Sequence, residues 1–141
     1  MSTLQPTRKF SEVSVGDELP PLSIDITTRL IVSAAIASGD FQDVHHDKPG
    51  AQALGSPDIF MNILTSNGLV GRYVTDWAGP NALLRAVKIK LGAPNYPGDT
   101  MVLKGRVTAL GGGDEQLVEI EVGGKNGLGY HVTGSVTVAL P

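Results

Sequence analysis

The run Ser38-Gly39-Asp40-Phe41-Gln42-Asp43-Val44-His45-His46-Asp47 gathers two of the chain's three histidines and three carboxylates into ten residues. Asp40 and His45 stand five apart, so a turn can bring a carboxylate and an imidazole onto one small molecule or one water. A carboxylate and a histidine are what proton transfer near neutral pH requires. Spacing alone leaves plainer uses open, with Asp40 capping a turn and His45 a satisfied buried imidazole. A metal site built from His45, His46 and Asp47 is disfavoured, because neighbours in an extended segment point in opposite directions and one ion cannot easily use all three. The chain has no cysteine, which removes disulfides, thiolate ligands and thiol nucleophiles together. It has no Gly-x-Ser-x-Gly elbow for a serine hydrolase. Gly123, Gly127 and Gly129 fall between strands, where neither a phosphate loop nor a dinucleotide fold follows. The third histidine, His131, falls in the last predicted strand and reads as structural.

The elements that must position this loop can be read on both sides of it. Pro20-Pro21 forces an extended stretch, and Leu22, Ile24 and Ile26 alternate with Ser23 and Asp25 as in a half-buried strand. Thr27 or Thr28 caps a short helix carrying Leu30, Ile31, Ala34, Ala35 and Ile36, which Ser38-Gly39 ends. Asp40 to about Gly55 is expected to be a polar loop. A long helix is predicted from about Pro57 to Trp77, with Ser56 as cap and Asp58 complementing the positive end of its dipole. Ile59, Phe60, Ile63, Leu64, Val70 and Val74 would be its buried positions, and Asn62, Ser66 and Asn67 would face a subunit interface or a substrate tunnel. After it come strands at Ala86–Leu91, Thr100–Leu110, Gln116–Val122 and Leu128–Leu140, the last two joined by a hairpin over Gly123–Gly127. Short connections make the sheet antiparallel. The fold class is therefore α+β, one long helix against a twisted antiparallel sheet.

With 141 residues the chain is sized for one domain. A net charge of −3 without a basic stripe argues against nucleic acid. No positively flanked apolar leader and no long apolar run are present, so neither a signal peptide nor a membrane span is expected, and the expected setting is the cytoplasm.

Ser38-Gly39-Asp40-x-x-x-Val44-His45, with Ala51 six residues beyond the histidine, resembles the signature of the MaoC-like (R)-specific enoyl-CoA hydratases, which are hotdog-fold proteins. The family usually has Asn-Pro where this chain has Gln42-Asp43, and a His-Gly pair where it has Asp58-Ile59-Phe60. A narrower branch is closer. Asp40 to Asp47, Asp58-Ile59-Phe60, Asn62-Ile63-Leu64-Thr65 and Arg72 to Pro80 resemble the small MaoC-like subunit of actinobacterial steroid side-chain hydratases.

The resemblance implies a single hotdog domain over 1–141, residues 1–12 being a loose lead-in, with the long helix wrapped by the sheet. It implies hydration of a 2-enoyl-CoA thioester of a steroid side chain, with Asp40 as base on a water that His45 also holds. No cofactor is implied, CoA being part of the substrate. Backbone N–H groups near Ile59 and Phe60, at the positive end of the helix, would hold the enolate oxygen, with Asn62 beside them as a substrate-binding residue. Arg85, Lys88 and Lys90 would meet the CoA phosphates. The expected assembly is a homodimer, or a heteromer with a second MaoC-like subunit that lacks the motif. Two other readings stand beside this one. A non-catalytic acyl-CoA-binding or pairing subunit would be expected to lose the acid or the histidine. A hotdog thioesterase usually places its acid mid-helix, whereas this helix offers Asp58 and Asp76 at its ends.

Overall fold

Alternating side chains give the sheet its two faces. The computed structural model describes residues 5–141. In it, β1 (Glu18–Asp25), β2 (Leu83–Leu91), β3 (Thr100–Gly111), β4 (Leu117–Asn126) and β5 (Gly129–Ala139) form one antiparallel sheet in the order β1-β3-β4-β5-β2. Val118, Ile120 and Val122 of β4 are buried while Glu119 and Glu121 between them are exposed, the period-two pattern of a sheet covered on one face. The cover is α3 (Ile63–Ala78), whose Val70, Tyr73, Val74 and Trp77 share one core with the inner residues of the strands. At 1.5 Å per residue α3 is about 24 Å long.

The helix starts later than the sequence predicts. Ser56 does not cap it, since its hydroxyl donates to Asp58 O, and Asp58 accepts from its own neighbour, the Ile59 N–H. The backbone that follows is engaged elsewhere: Phe60 N–H donates to Val44 O at 3.0 Å and Met61 N–H to Asn95 O at 3.1 Å. Ile59 and Met61 are buried by an extended segment, so their period is two and not the helical one. Asn62 is the true cap, its Oδ1 accepting the Thr65 N–H at 3.0 Å. Ile63 and Leu64, expected inside, are 54% and 52% exposed.

Other boundaries differ for local reasons. The loop after Asp40 contains a 3-10 turn, Asp43–His45, and a short helix, α2 (Lys48–Ala53), capped by Asp47. β4 runs on through Gly123 and Gly124 to Asn126, with only Gly127-Leu128 left for the turn. Gly124 is there for room: a Cβ on it would lie 2.8 Å from the side chains of Leu103 and Val132. β2 begins at Leu83 rather than Ala86. The first four residues of the expected loose lead-in lie outside the described residues, but from Thr7 the segment is tied down. Arg8 N–H donates to Ala78 O and Phe10 N–H to Pro141 O, both at 2.8 Å, and the Arg8 guanidinium lies 4.9 Å over the Trp77 ring.

The two edges of the sheet are unlike. β1 carries Pro20-Pro21 at a register shift between Leu19 and Leu22, where a missing N–H breaks the ladder. β2 presents exposed Leu83, Leu84 and Leu91.

Candidate active site

Asp40 hangs from the end of α1 (Thr28–Ala37). Thr27 caps that helix, accepting the Leu30 N–H. At its end Gly39 takes φ +73°, which a side chain would strain, and Gly39 and Asp40 return their N–H groups to Ile36 O and Ala35 O at 3.0 and 2.9 Å. The carboxylate is held at both oxygens. Oδ1 accepts the Gln42 N–H at 3.2 Å and Oδ2 accepts Asn62 Nδ2 at 3.1 Å. The Asn62 amide, then the Gln42 N–H and the charges of His45 and His46, hold the Asp40 carboxyl below its usual range against a partial desolvation that would raise it.

His45 closes the 3-10 turn and is buried. Its Nδ1 lies 2.6 Å from Phe60 O. A carbonyl oxygen can only accept, so Nδ1 carries the hydrogen and Nε2 is the nitrogen left for the pocket. That nitrogen faces Asp40 Oδ2 at 3.3 Å. A water beside the two can give a hydrogen to the carboxylate and be held by the imidazole, with an oxygen lone pair left to attack. The Phe60 ring stands edge-on to the imidazole, 5.0 Å between centroids at 86°. The extended segment that displaced the start of α3 is thus what fixes the histidine.

His46 and Asp47 point elsewhere, as expected. His46 Nε2 bonds Asp40 O at 2.7 Å and its ring stacks on Phe41, while Asp47 caps α2. The three side chains weighed as a metal set therefore diverge. His131 is buried and bonded at both nitrogens, to Ala93 O and to Ser66 Oγ, each at 2.7 Å. Asn62 and Ser66 are buried by bonds within this chain, and only Asn67 of the expected tunnel or interface trio is exposed.

The oxyanion assignment needs correcting. The Ile59 N–H is taken by Asp58 and the Phe60 N–H by Val44 O. Both Asn62 Nδ2 hydrogens are used as well, on Asp40 and on Ser38 Oγ. Sequence reasoning missed the N–H groups of Ile63 and Leu64 in the first turn of α3, which find no acceptor among the described residues and are open to a ligand oxygen. Asn62-x-x-Thr65 was the signal, since asparagine is among the strongest caps. Of the phosphate candidates, Arg85 is paired with Glu115. Lys88 and Lys90 are exposed and alternate with Val87 and Ile89, which pack on the core, so they lie on the sheet face away from α3. Asp76 pairs with Arg72 at 3.3 Å in the last turns of α3, and Asp58, which pairs with Lys48 at 3.7 Å, lies outside that helix.

No family model matches the sequence. Among curated proteins, the 3-oxo-4,17-pregnadiene-20-carboxyl-CoA hydratase beta subunit of Mycobacterium tuberculosis is 51% identical over 126 residues, 89% of this chain and 95% of the relative. The chain belongs to the MaoC-like hydratases. Its MaoC-like fold superposes on a chain in the crystal structure of the ChsH1-ChsH2 complex from Mycobacterium tuberculosis with a TM-score of 0.86 at 50% identity, covering 91% of this chain and 98% of that one. The R-hydratase PhaJ1 from Pseudomonas aeruginosa gives 0.84 at 20% identity, over 94% and 85% of the two chains, a likeness of fold. The MaoC-like chain is thus a hotdog protein of a hydro-lyase family, its α3 wrapped by the five-stranded sheet.

Proposed function

We propose that this chain is the catalytic MaoC-like subunit of an enoyl-CoA hydratase that acts on a steroid side chain. The observation that carries the reading is the Asp40–His45 pair, 3.3 Å apart with the imidazole fixed by its Nδ1 bond to Phe60 O. The name of the curated relative supports the substrate class. Asp40, kept ionised by its donors, takes a proton from the water that His45 also holds. The water oxygen bonds to the β-carbon, the α,β double bond opens towards the thioester, and one of the pair returns a proton to the α-carbon. The product is a 3-hydroxyacyl-CoA, and no atom is left over. The enolate oxygen formed on the way accepts from the Ile63 and Leu64 N–H groups at the positive end of α3. Water is the second substrate and no cofactor is required.

The partner is a second MaoC-like subunit, a reading supported by the two-component ChsH1-ChsH2 complex in which the relative is found, or a second copy, and it joins along β2. Lys88 and Lys90 then meet the CoA phosphates. The cytoplasm, where CoA thioesters are made and used, is the setting. A pairing subunit would need neither acid nor imidazole, and here both are present and bonded into place. The test is co-expression with the partner subunit and an assay of the loss of enoyl-thioester absorbance on a steroid side-chain enoyl-CoA. Turnover is expected, and Asp40→Asn should lower kcat by about 10²- to 10⁴-fold. Full activity in Asp40→Asn would overturn the mechanism.

A further inference from the structure

We propose that Asn62 is a positioning residue for the hydration step, its one amide fastening the Asp40 carboxylate to the end of α1 and the start of α3. The proposal rests on the hydratase reading above and deepens it. As a cap, Asn62 needs only an oxygen, and serine, threonine or aspartate would serve as well. What only an amide adds is a donor face behind the accepting one. Its orientation is not in doubt: Thr65 N–H is a donor, so Oδ1 faces it and Nδ2 faces the other way. The two Nδ2 hydrogens go to Ser38 Oγ at 3.0 Å and Asp40 Oδ2 at 3.1 Å. Ser38 is itself anchored, donating to Ala34 O at 2.8 Å and Ala35 O at 3.0 Å in the last turn of α1. Asn62 is 2% exposed, so its amide is held in place by protein while the Asp40 carboxylate it holds stays 22% exposed.

The geometric effect falls on one rotation. With Oδ1 on the Gln42 N–H and Oδ2 on Asn62, the carboxylate cannot turn about its Cβ–Cγ bond without breaking a bond at each end. Oδ2 is therefore kept beside His45 Nε2, 3.3 Å away, where both can reach one water. Without the amide the carboxylate is held by Gln42 alone and is free to swing out of line. The amide also favours the ionised form, the largest of the influences on Asp40. Neither of these effects requires Asn62 to touch substrate.

Two variants separate the cap from the donor. Asn62→Ser keeps an accepting oxygen at the cap and removes the donor. Asn62→Asp keeps the cap and the shape and sets a like charge against Asp40. In the enzyme co-expressed with its partner subunit, Asn62→Ser should lower kcat about ten- to a hundredfold with KM within about twofold. The acid limb of the kcat profile should move up in pH, and further up in Asn62→Asp. In an Asp40→Asn background, Asn62→Ser should cause no additional loss, because it acts through that carboxylate. A carbon-13 carboxyl titration should show Asp40 protonating at higher pH in both variants than in the wild type. Wild-type kcat in Asn62→Ser, or an additional loss in the Asp40→Asn background, would overturn the proposal. If the wild type hydrates no enoyl-CoA at all, the hydratase reading fails and the titration still decides: an Asp40 titration that rises supports the fastening, and one that stays put overturns it.

Discussion

Ser66→Ala should cost stability by a calculable amount. Ser66 is fully buried on α3, and its hydroxyl is 2.7 Å from His131 Nε2. His131 Nδ1 donates to Ala93 O, so the neutral ring has its lone pair at Nε2 and the serine hydroxyl is its donor. Removing that hydroxyl leaves a buried acceptor without a partner, at a cost of about 1–3 kcal/mol. For 141 residues the unfolding entropy is about 0.3 kcal/mol/K, so the midpoint should fall by about 3–10 °C. The pair also carries a pH signature. Burial lowers the His131 pKa from 6.5, against the Ala93 carbonyl that would raise it. The unfolded chain then binds a proton more readily than the folded one, so stability is full above about 6.5 and is lost as pH falls from there through the lowered folded value. The Asp40 shift acts in another window, since a lowered carboxylate loses its contribution only as pH falls below 3.8. Calorimetry at pH 7.5 and 5.5, at fixed protein concentration because assembly also stabilises, reads both effects. His131→Gln should flatten the fall between those two pH values. A Ser66→Ala midpoint within about 1 °C of wild type, or equal pH slopes for wild type and His131→Gln, would refute the reasoning.

Gly79→Ala should loosen the amino-terminal segment: the residue has φ +100° and a Cβ would run into the backbone of Thr7, so trypsin is expected to cut after Arg8 or Lys9 faster than in wild type. Leu84→Lys on the exposed edge β2 should weaken subunit association, read as a lower mass by light scattering at micromolar concentration; an unchanged mass would move the interface elsewhere. Charge reversal at Lys88 and Lys90 should raise KM for an acyl-CoA more than it changes kcat, and an unchanged KM would return both lysines to the solvent.

The residues that were legible in the sequence were those whose partners are near in the chain. Val70, Tyr73, Val74 and Trp77 announce a helix because their spacing alone buries them together. Asp40 and His45 announce a site because five residues separate them. The start of α3 was misread because Ile59, Phe60 and Met61 satisfy a helical pattern while their backbone bonds go to Val44 and Asn95, which no local pattern reveals. Gly123 and Gly124 were read as a turn because a glycine chosen for crowding looks the same in sequence as one chosen for its dihedral angles. The Asn62 bond to Asp40 spans 22 residues and the Ser66 bond to His131 spans 65. Such links exist only once the fold has brought two helices, or a helix and a strand, side by side.

The unlike edges of the sheet limit how many subunits can join through their strands. Pairing along β2 would use the unpaired backbone groups of that edge, whose ladder with β5 has its own register shift between Leu84 and Ala86. What each joined subunit then offers outward is β1, interrupted by two prolines and a bulge, a poor template for another strand. With β2 paired in that way, growth by strand addition would end at a pair, whether the second member is a copy of this chain or a different subunit. Pro20 and Pro21 are thus the positions where the β1 edge is least able to template another strand.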